Sequence, residues 1–284
     1  MKSDRLPYSL LALGLALLLW GSYWGLFLAP AEAYMGDVQR IMYVHVPTAW
    51  NAMLALTFAF ACALLSLFRG DPVWDARLEG ALEVGVTLSA LLCMQGAIWA
   101  KPTWGVWWDW DPRLTTTAVL VFAFGAILAL REFVDDPVKR ATWSAVAAII
   151  AYADVPIVYF SVKWWNSLHQ TQSSPETVSR AFHWPLRINA FGMLFLMSGL
   201  ISLRSRLALL RREEETAPPL PGRTVDRWGD ARSLLMAGPA GVISGGWEFV
   251  WAAYGVTAVI LTGYAVSVFA RYRAQRRRRE AVKR

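Results

Sequence analysis

Seven apolar stretches, at residues 8–28, 42–68, 80–100, 114–130, 141–162, 188–203 and 249–269, constrain this chain more than any other feature. A helix needs about 20 predominantly apolar residues to cross a bilayer, and most of these runs reach that length. The run at 188–203 is the weakest. Hydrocarbon offers backbone N–H and C=O groups no outside partner, so runs of this kind fold as helices. Composition agrees, since 56% of the residues are hydrophobic and 17% charged, against about 25% charged in soluble domains. The expectation is an all-α integral membrane protein, a six-helix bundle with short connections and a further C-terminal transmembrane helix. Ala31-Glu32-Ala33 resembles a signal cleavage site, yet the run before it exceeds the roughly 7–15 residues of a signal-peptide core. The first run therefore reads as an anchor.

Charge sets the orientation. The net charge is +7, but residues 271–284 alone hold eight basic residues and one acid, which leaves twenty of each sign elsewhere. A basic block just past a membrane helix is ordinarily a cytoplasmic stop signal, so nothing here calls for nucleic acid as a partner. Cytoplasmic loops carry the Lys and Arg excess. Lys2, Arg5, Arg69, Arg77, Arg131, Lys139, Arg140, Arg204, Arg206, Arg211 and Arg212 fall on one side of the six-helix unit. Arg40, Lys101, Arg113, Lys163, Arg180 and Arg187 fall on the other. The larger set places both ends of the unit in the cytoplasm and the loop after the third helix outside. His45, His169 and His183 are then all external. Cys62 and Cys93 sit inside apolar runs and form no C-x-x-C pair, so no disulfide framework or covalent cofactor attachment follows.

The external loop is unusual in kind. Residues 99–116 read "WAKPTWGVWWDWDPRLTT", with five tryptophans among eighteen residues. Interfacial aromatic belts account for Trp20, Trp24 and Trp99. They account poorly for Trp104, Trp107, Trp108 and Trp110, because a belt anchors each helix with one or two rings. If the loop were helical, Trp104, Trp107 and Trp108 would share a face. His45 lies in "RIMYVHVPTAW" where the chain enters the second helix, with Pro47 suited to a first turn. His169 follows the fifth helix in "SVKWWNSLHQ", and a continuing helix would put Trp165 and His169 on one face. The plain alternative for each histidine is an interfacial ring bonded to backbone or water. A porphyrin accounts for the whole set: the macrocycle stacks on indoles, the iron takes neutral imidazole, and the propionates seek cations. A quinone leaves paired histidines unexplained, and zinc wants three or four ligands at closer spacing. Arg113, Lys101, Lys163 and Arg187 are all on the side where propionates would lie.

"WGVWWDWDPRLT" at 104–115 resembles the tryptophan-rich WWD signature of membrane haem-handling proteins, and its R-L-T ending resembles the CcmC branch. "YVHVPTAW" at 43–50, "GAIWAKPTWG" at 96–105 and "VPIVYFSVKWWNSLHQ" at 155–170 match in the same order. The resemblance implies six membrane helices and a transiently bound b-type haem held against the external WWD segment. His45 and His169 match the family's axial ligands to the haem iron; Trp104, Trp107, Trp108, Trp110, Asp111 and Arg113 fall in the signature, while His183 matches no ligand. The implied role is presentation of haem to the periplasmic chaperone CcmE in cytochrome c maturation, at the bacterial inner membrane, beside the CcmA/CcmB ABC transporter. Larger WWD relatives join haem to apocytochrome c as synthases, but they are usually longer and their motif ends differently.

Residues 1–203 are thus expected to form the haem-handling unit, and 204–232 a charged, Pro-rich cytoplasmic linker. Within 233–284, "WEFVWAAYGVTAVILTGYAVSVFARYRAQRRRRE" at 247–280 resembles CcmD, a single-helix partner supplied here in cis. An ordinary extra helix is the alternative. A helix leaving the cytoplasm would carry the basic tail outside, against the charge rule. The apolar stretch at 233–246 is too short to span, so it would re-enter, cross irregularly against the bundle, or mark a cut. The expectation is a cytoplasmic basic tail. Two function classes remain: a haem-presenting module that changes no bond itself, and a haem-containing membrane electron-transfer protein, which would ordinarily hold its haem between helices at membrane depth.

Overall fold

Short aspartate-proline signals start three of the helices. Asp71, Asp111 and Asp136 each cap a helix whose first residue is proline, accepting from the backbone N–H of Val73, Arg113 and Val138 respectively. A carboxylate at the cap satisfies orphan N–H groups, and proline at the next position gives up none that the helix needs. The computed structural model describes residues 5–169, 178–216 and 246–282. Its elements are α1 (Arg5–Tyr23) with a π-helical turn at Trp24–Leu28, then a 3-10 turn at Asp37–Ile41 leading into α2 (Met42–Arg69). There follow α3 (Pro72–Trp104), α4 (Pro112–Phe133), α5 (Pro137–Ala151), α6 (Asp154–Trp164), α7 (Arg180–Thr216) and α8 (Trp247–Val282).

These helices make seven spans long and apolar enough to cross a membrane. The molecule is an all-α multi-pass membrane protein. Several details differ from the sequence expectation, among them α7, which runs on through residues 204–216, expected to begin the linker. The fifth span is two helices, because Pro156 has no N–H for the Tyr152 carbonyl, which takes Val155 N–H at 3.0 Å instead. Pro47 lies inside α2 and not in its first turn, since the helix begins at Met42.

Glycine lets α1 and α7 touch backbone to backbone. A Cβ at Gly14 would sit 2.5 Å from the Leu196 nitrogen, and one at Gly192 would sit 2.9 Å from the Leu18 nitrogen. Small residues at such crossings trade side-chain volume for close packing, the main source of helix association in lipid. The core between α2, α3, α4, α5 and α7 is mostly aliphatic, with Leu56, Leu78, Leu82, Leu91 and Leu200 buried around Phe124.

At one end of the bundle lies a buried ion-pair cluster, here termed the arginine end. Asp75, Glu79 and Glu83 repeat at i, i+4, i+8 on α3, so they share a face. Arg131 of α4 bonds Asp75 at 2.9 and 3.0 Å and Glu79 at 2.7 Å. Arg204 of α7 reaches Glu79 at 2.8 Å and also pairs with Glu83, while Arg212 pairs with Asp75. Arg271 of α8 meets Glu83 at 3.0 Å.

α8 runs parallel to α7. Its start packs on the tryptophan end, with Val250 and Ala253 against Ile41 and Val44. Arg40 lies over the Trp247 ring at 5.3 Å, and Gln95 donates to Thr257 at 2.7 Å. Its far half packs on the arginine end, with Val268 and Tyr272 against Leu203 and Leu207 and Arg279 paired with Glu213 at 2.8 Å. The basic end of α8 therefore shares a face of the bundle with Arg131, Arg204 and Arg212. Residues 217–245, which carry most of the expected linker and the 233–246 stretch, lie outside the described residues.

Candidate functional site

A cavity of about 220 Å³ opens at the tryptophan end, walled by α2, α3, α4, α6 and the segment after α6. His45 comes to it from the first turns of α2, and His169 from the segment that follows α6. Trp104, Trp108 and Arg113 line it as well. The other signature residues stand elsewhere. Trp107 is 43% exposed and leans on Phe249 of α8, with Lys101 over its ring. Trp110 is 77% exposed, edge-on to Trp108. Asp111 is buried behind the cavity wall.

Gly105 explains this split. α3 ends at Trp104, and Gly105 turns left-handed at φ 81, its N–H bonding the Lys101 carbonyl at 3.0 Å. A left-handed C-cap is glycine's position. The loop beyond it is not helical, so Trp104, Trp107 and Trp108 do not share one face as the helical reading had it. Likewise α6 stops at Trp164, and Trp165 turns extended at φ -129, which removes the shared face expected of Trp165 and His169.

Trp99 departs from the belt expectation. It lines the cavity, meets His45 edge-on at 5.4 Å between ring centroids, and its buried indole N–H has no hydrogen-bond partner among the described residues. Trp50, Met53, Cys93 and Tyr159 also line the cavity. Sequence reading passed over them because single aromatic and apolar residues inside a membrane run look like ordinary packing.

Two imidazoles therefore face one apolar, aromatic space. His45 Nδ1 is buried with no hydrogen-bond partner among the described residues, and Trp104 stands edge-on to His169 at 5.0 Å. Burial first, and the Arg113 guanidinium next, lower the His169 imidazole to about 4, against an opposing pull from Asp111. At neutral pH the ring is uncharged, the form that ligates a metal. Burial alone would raise the Asp111 carboxyl. Hydrogen bonds from Ser167 and from the Leu168 and Arg113 N–H groups outweigh it, together with His169, and hold Asp111 below its usual value. Of the four cations expected near propionates, Arg113 lines the cavity. Lys101 donates instead to the Gly105 carbonyl at 2.9 Å, Lys163 lies over Phe160, and Arg187 lies over Trp184.

The donor set suits a macrocycle better than a bare ion. Among the described residues no three His, Cys, Asp or Glu side chains gather as a metal site. Two imidazoles complete the coordination of an iron that already has four ring nitrogens. The unpaired His45 and Trp99 nitrogens, the indole walls and Arg113 all fit haem.

Fold and site together define a multi-pass membrane protein with a histidine-bearing, aromatic cavity at one end of its bundle. Residues 2–218 match the model of the "Heme exporter protein C" family, and the chain belongs to that family. Proteins of that name from Haemophilus influenzae and Escherichia coli K12 are similar to it at 36% and 33% identity. Those alignments cover 71% and 68% of this chain and 83% and 80% of the relatives. A third, from Bradyrhizobium diazoefficiens, is 34% identical over 65% of this chain and 72% of its own length. α8 lies beyond the family match.

Proposed function

We propose that this chain binds haem at the periplasmic end of its bundle, in the bacterial inner membrane, and presents it to the chaperone CcmE during cytochrome c maturation. The observation that carries the reading is the single cavity faced by His45 and His169 and walled by Trp99, Trp104 and Trp108. Haem supplies an iron with two open axial positions, and neutral imidazoles are apt donors for them. Arg113 is the cation available to a propionate, and the indoles give flat apolar walls. The exposed Trp107 and Trp110 beside the mouth are surfaces for the receiving partner. α8 is read as a CcmD-like helix supplied in cis, and the CcmA/CcmB transporter as a neighbour in the membrane. The electron-transfer alternative is disfavoured because His45 lies in the first turn of α2 and His169 in the segment after α6, at one end of the bundle and not at its middle.

The test is transfer. The purified protein is loaded with haem and mixed with the purified chaperone, and the two are separated and their absorption spectra recorded. Haem leaving this protein and appearing in the chaperone supports the reading. Haem that is never bound, or that stays in place with the chaperone present, overturns it.

A further inference from the structure

The two imidazoles that face the cavity stand in unlike surroundings. His169 has a carboxylate beside its rear nitrogen: Asp111 Oδ1 lies 3.5 Å from His169 Nδ1. That carboxylate is held firmly, its side chain 2% exposed. Oδ1 accepts from the Arg113 N–H at 2.9 Å and Oδ2 from the Leu168 N–H at 2.6 Å. It also caps α4, and Pro112 next in the chain restricts its backbone to an extended conformation. The residues around His169 are fixed in turn, since the His169 N–H donates to Ser167 Oγ at 3.1 Å. One aspartate thus ties the WWD loop to the segment carrying His169, across 57 residues of chain.

His45 has nothing equivalent. Its Nδ1 is buried and, like His169 Nδ1, makes no hydrogen bond among the described residues, but no described carboxylate pairs with it as Asp111 does with His169. Its neighbours are the Trp99 ring and Gly96, where even a Cβ would come within 3.4 Å of Cε1. A carboxylate behind one ring nitrogen fixes the tautomer and turns the other nitrogen to the metal as a stronger donor, whereas an imidazole without one is a weaker donor.

We infer that Asp111 is a positioning residue for His169, so that the two histidines hold haem unequally, His169 tightly and His45 exchangeably. At 3.5 Å the Asp111–His169 pair is longer than a formed hydrogen bond, a separation that leaves the ring free to swing and tighten once Nε2 has a partner. The inequality gives a holder that must also let go a defined side from which to release. The inference rests on the haem-binding reading above.

The experiment uses the full chain loaded with haem, comparing wild type with Asp111→Asn, His45→Ala and His169→Ala. Asparagine caps a helix as well as aspartate, so α4 keeps its start through the Arg113 N–H, while the charge behind His169 and the acceptor for the Leu168 N–H, the two parts of the positioning, are removed together. Retained haem is followed by its loss to excess apomyoglobin, and the bound haem by its midpoint potential. Asp111→Asn is expected to speed haem loss by about 10-fold or more and to raise the potential, because a weaker imidazole donor stabilises ferric iron less. Helix content and yield should stay at the wild-type level. His169→Ala should lose haem faster than His45→Ala, and added imidazole should restore His45→Ala the more fully. An Asp111→Asn variant with wild-type loss rate and potential overturns the inference while leaving haem binding intact. So does equal loss in the two histidine variants. Wild-type protein that takes up no haem overturns both the inference and the reading beneath it.

Discussion

At the scale of single residues, the tryptophans fall into two groups with different work. Trp99, Trp104 and Trp108 wall the cavity, whereas Trp107 and Trp110 face outward or toward α8. Trp99→Ala should therefore cost haem retention, read as faster loss to apomyoglobin, and about 3 kcal/mol of stability from the space it leaves. Trp110→Ala should leave retention within about twofold, since an exposed ring carries little packing energy. It should slow handover to the chaperone instead. Retention lost equally in both variants would return the cluster to an undivided aromatic surface. Trp99 was misleading in the sequence because its position at the end of an apolar run is also where belt tryptophans sit. Only the fold reveals that its ring turns inward against His45.

At the scale of helices, the spans were legible because lipid forces backbone groups to pair within each segment, and apolar length then marks each helix. Their ends were less so. α3 begins at Pro72, well before its apolar run, because Asp75 and Glu79 interrupt the hydropathy while pairing with arginines inside the bundle. α7 extends to Thr216 in the same way, through Arg204 and Arg212. A charge that is satisfied inside a bundle looks, in sequence, like a loop. Arg131→Ala should cost about 3 kcal/mol by stripping Asp75 and Glu79 of their shared partner, measured by thermal unfolding in detergent; a neutral result would mean that Arg204 and Arg212 suffice. Gly14→Val should cost about 1–3 kcal/mol, because a side chain there meets the α7 backbone. The histidines and the tryptophan loop were visible as candidates, but their grouping depended on Gly105 and on the stop of α6 at Trp164. Neither a left-handed cap nor an early helix end follows from residue spacing.

At the scale of the whole molecule, the account rests on two faces: a cavity at the tryptophan end and ion pairs at the arginine end, with α8 touching both. The charge rule puts the arginine end in the cytoplasm. Cysteines placed at the exposed Glu248 and Arg278 positions, in a background without Cys93, test this with a membrane-impermeant thiol reagent. The Glu248 position should label from the periplasm and the Arg278 position only after the membrane is opened; the reverse would turn the haem site inward and defeat the proposed handover. Severing the chain within 213–222 and co-expressing the two pieces should preserve haem delivery, since a tether adds effective concentration and no contact. The central claim is that His45 and His169, and not His183, hold the iron. His183 is outside the cavity lining, and its Nε2 lies 2.8 Å from the Val178 carbonyl. The most direct measurement is the electron paramagnetic resonance spectrum of ferric haem in wild type and the three histidine-to-alanine variants. The account predicts a low-spin bis-imidazole signal in wild type and His183→Ala, and its loss in His45→Ala and in His169→Ala. A low-spin signal that survives in either of those two, or disappears in His183→Ala, would contradict it.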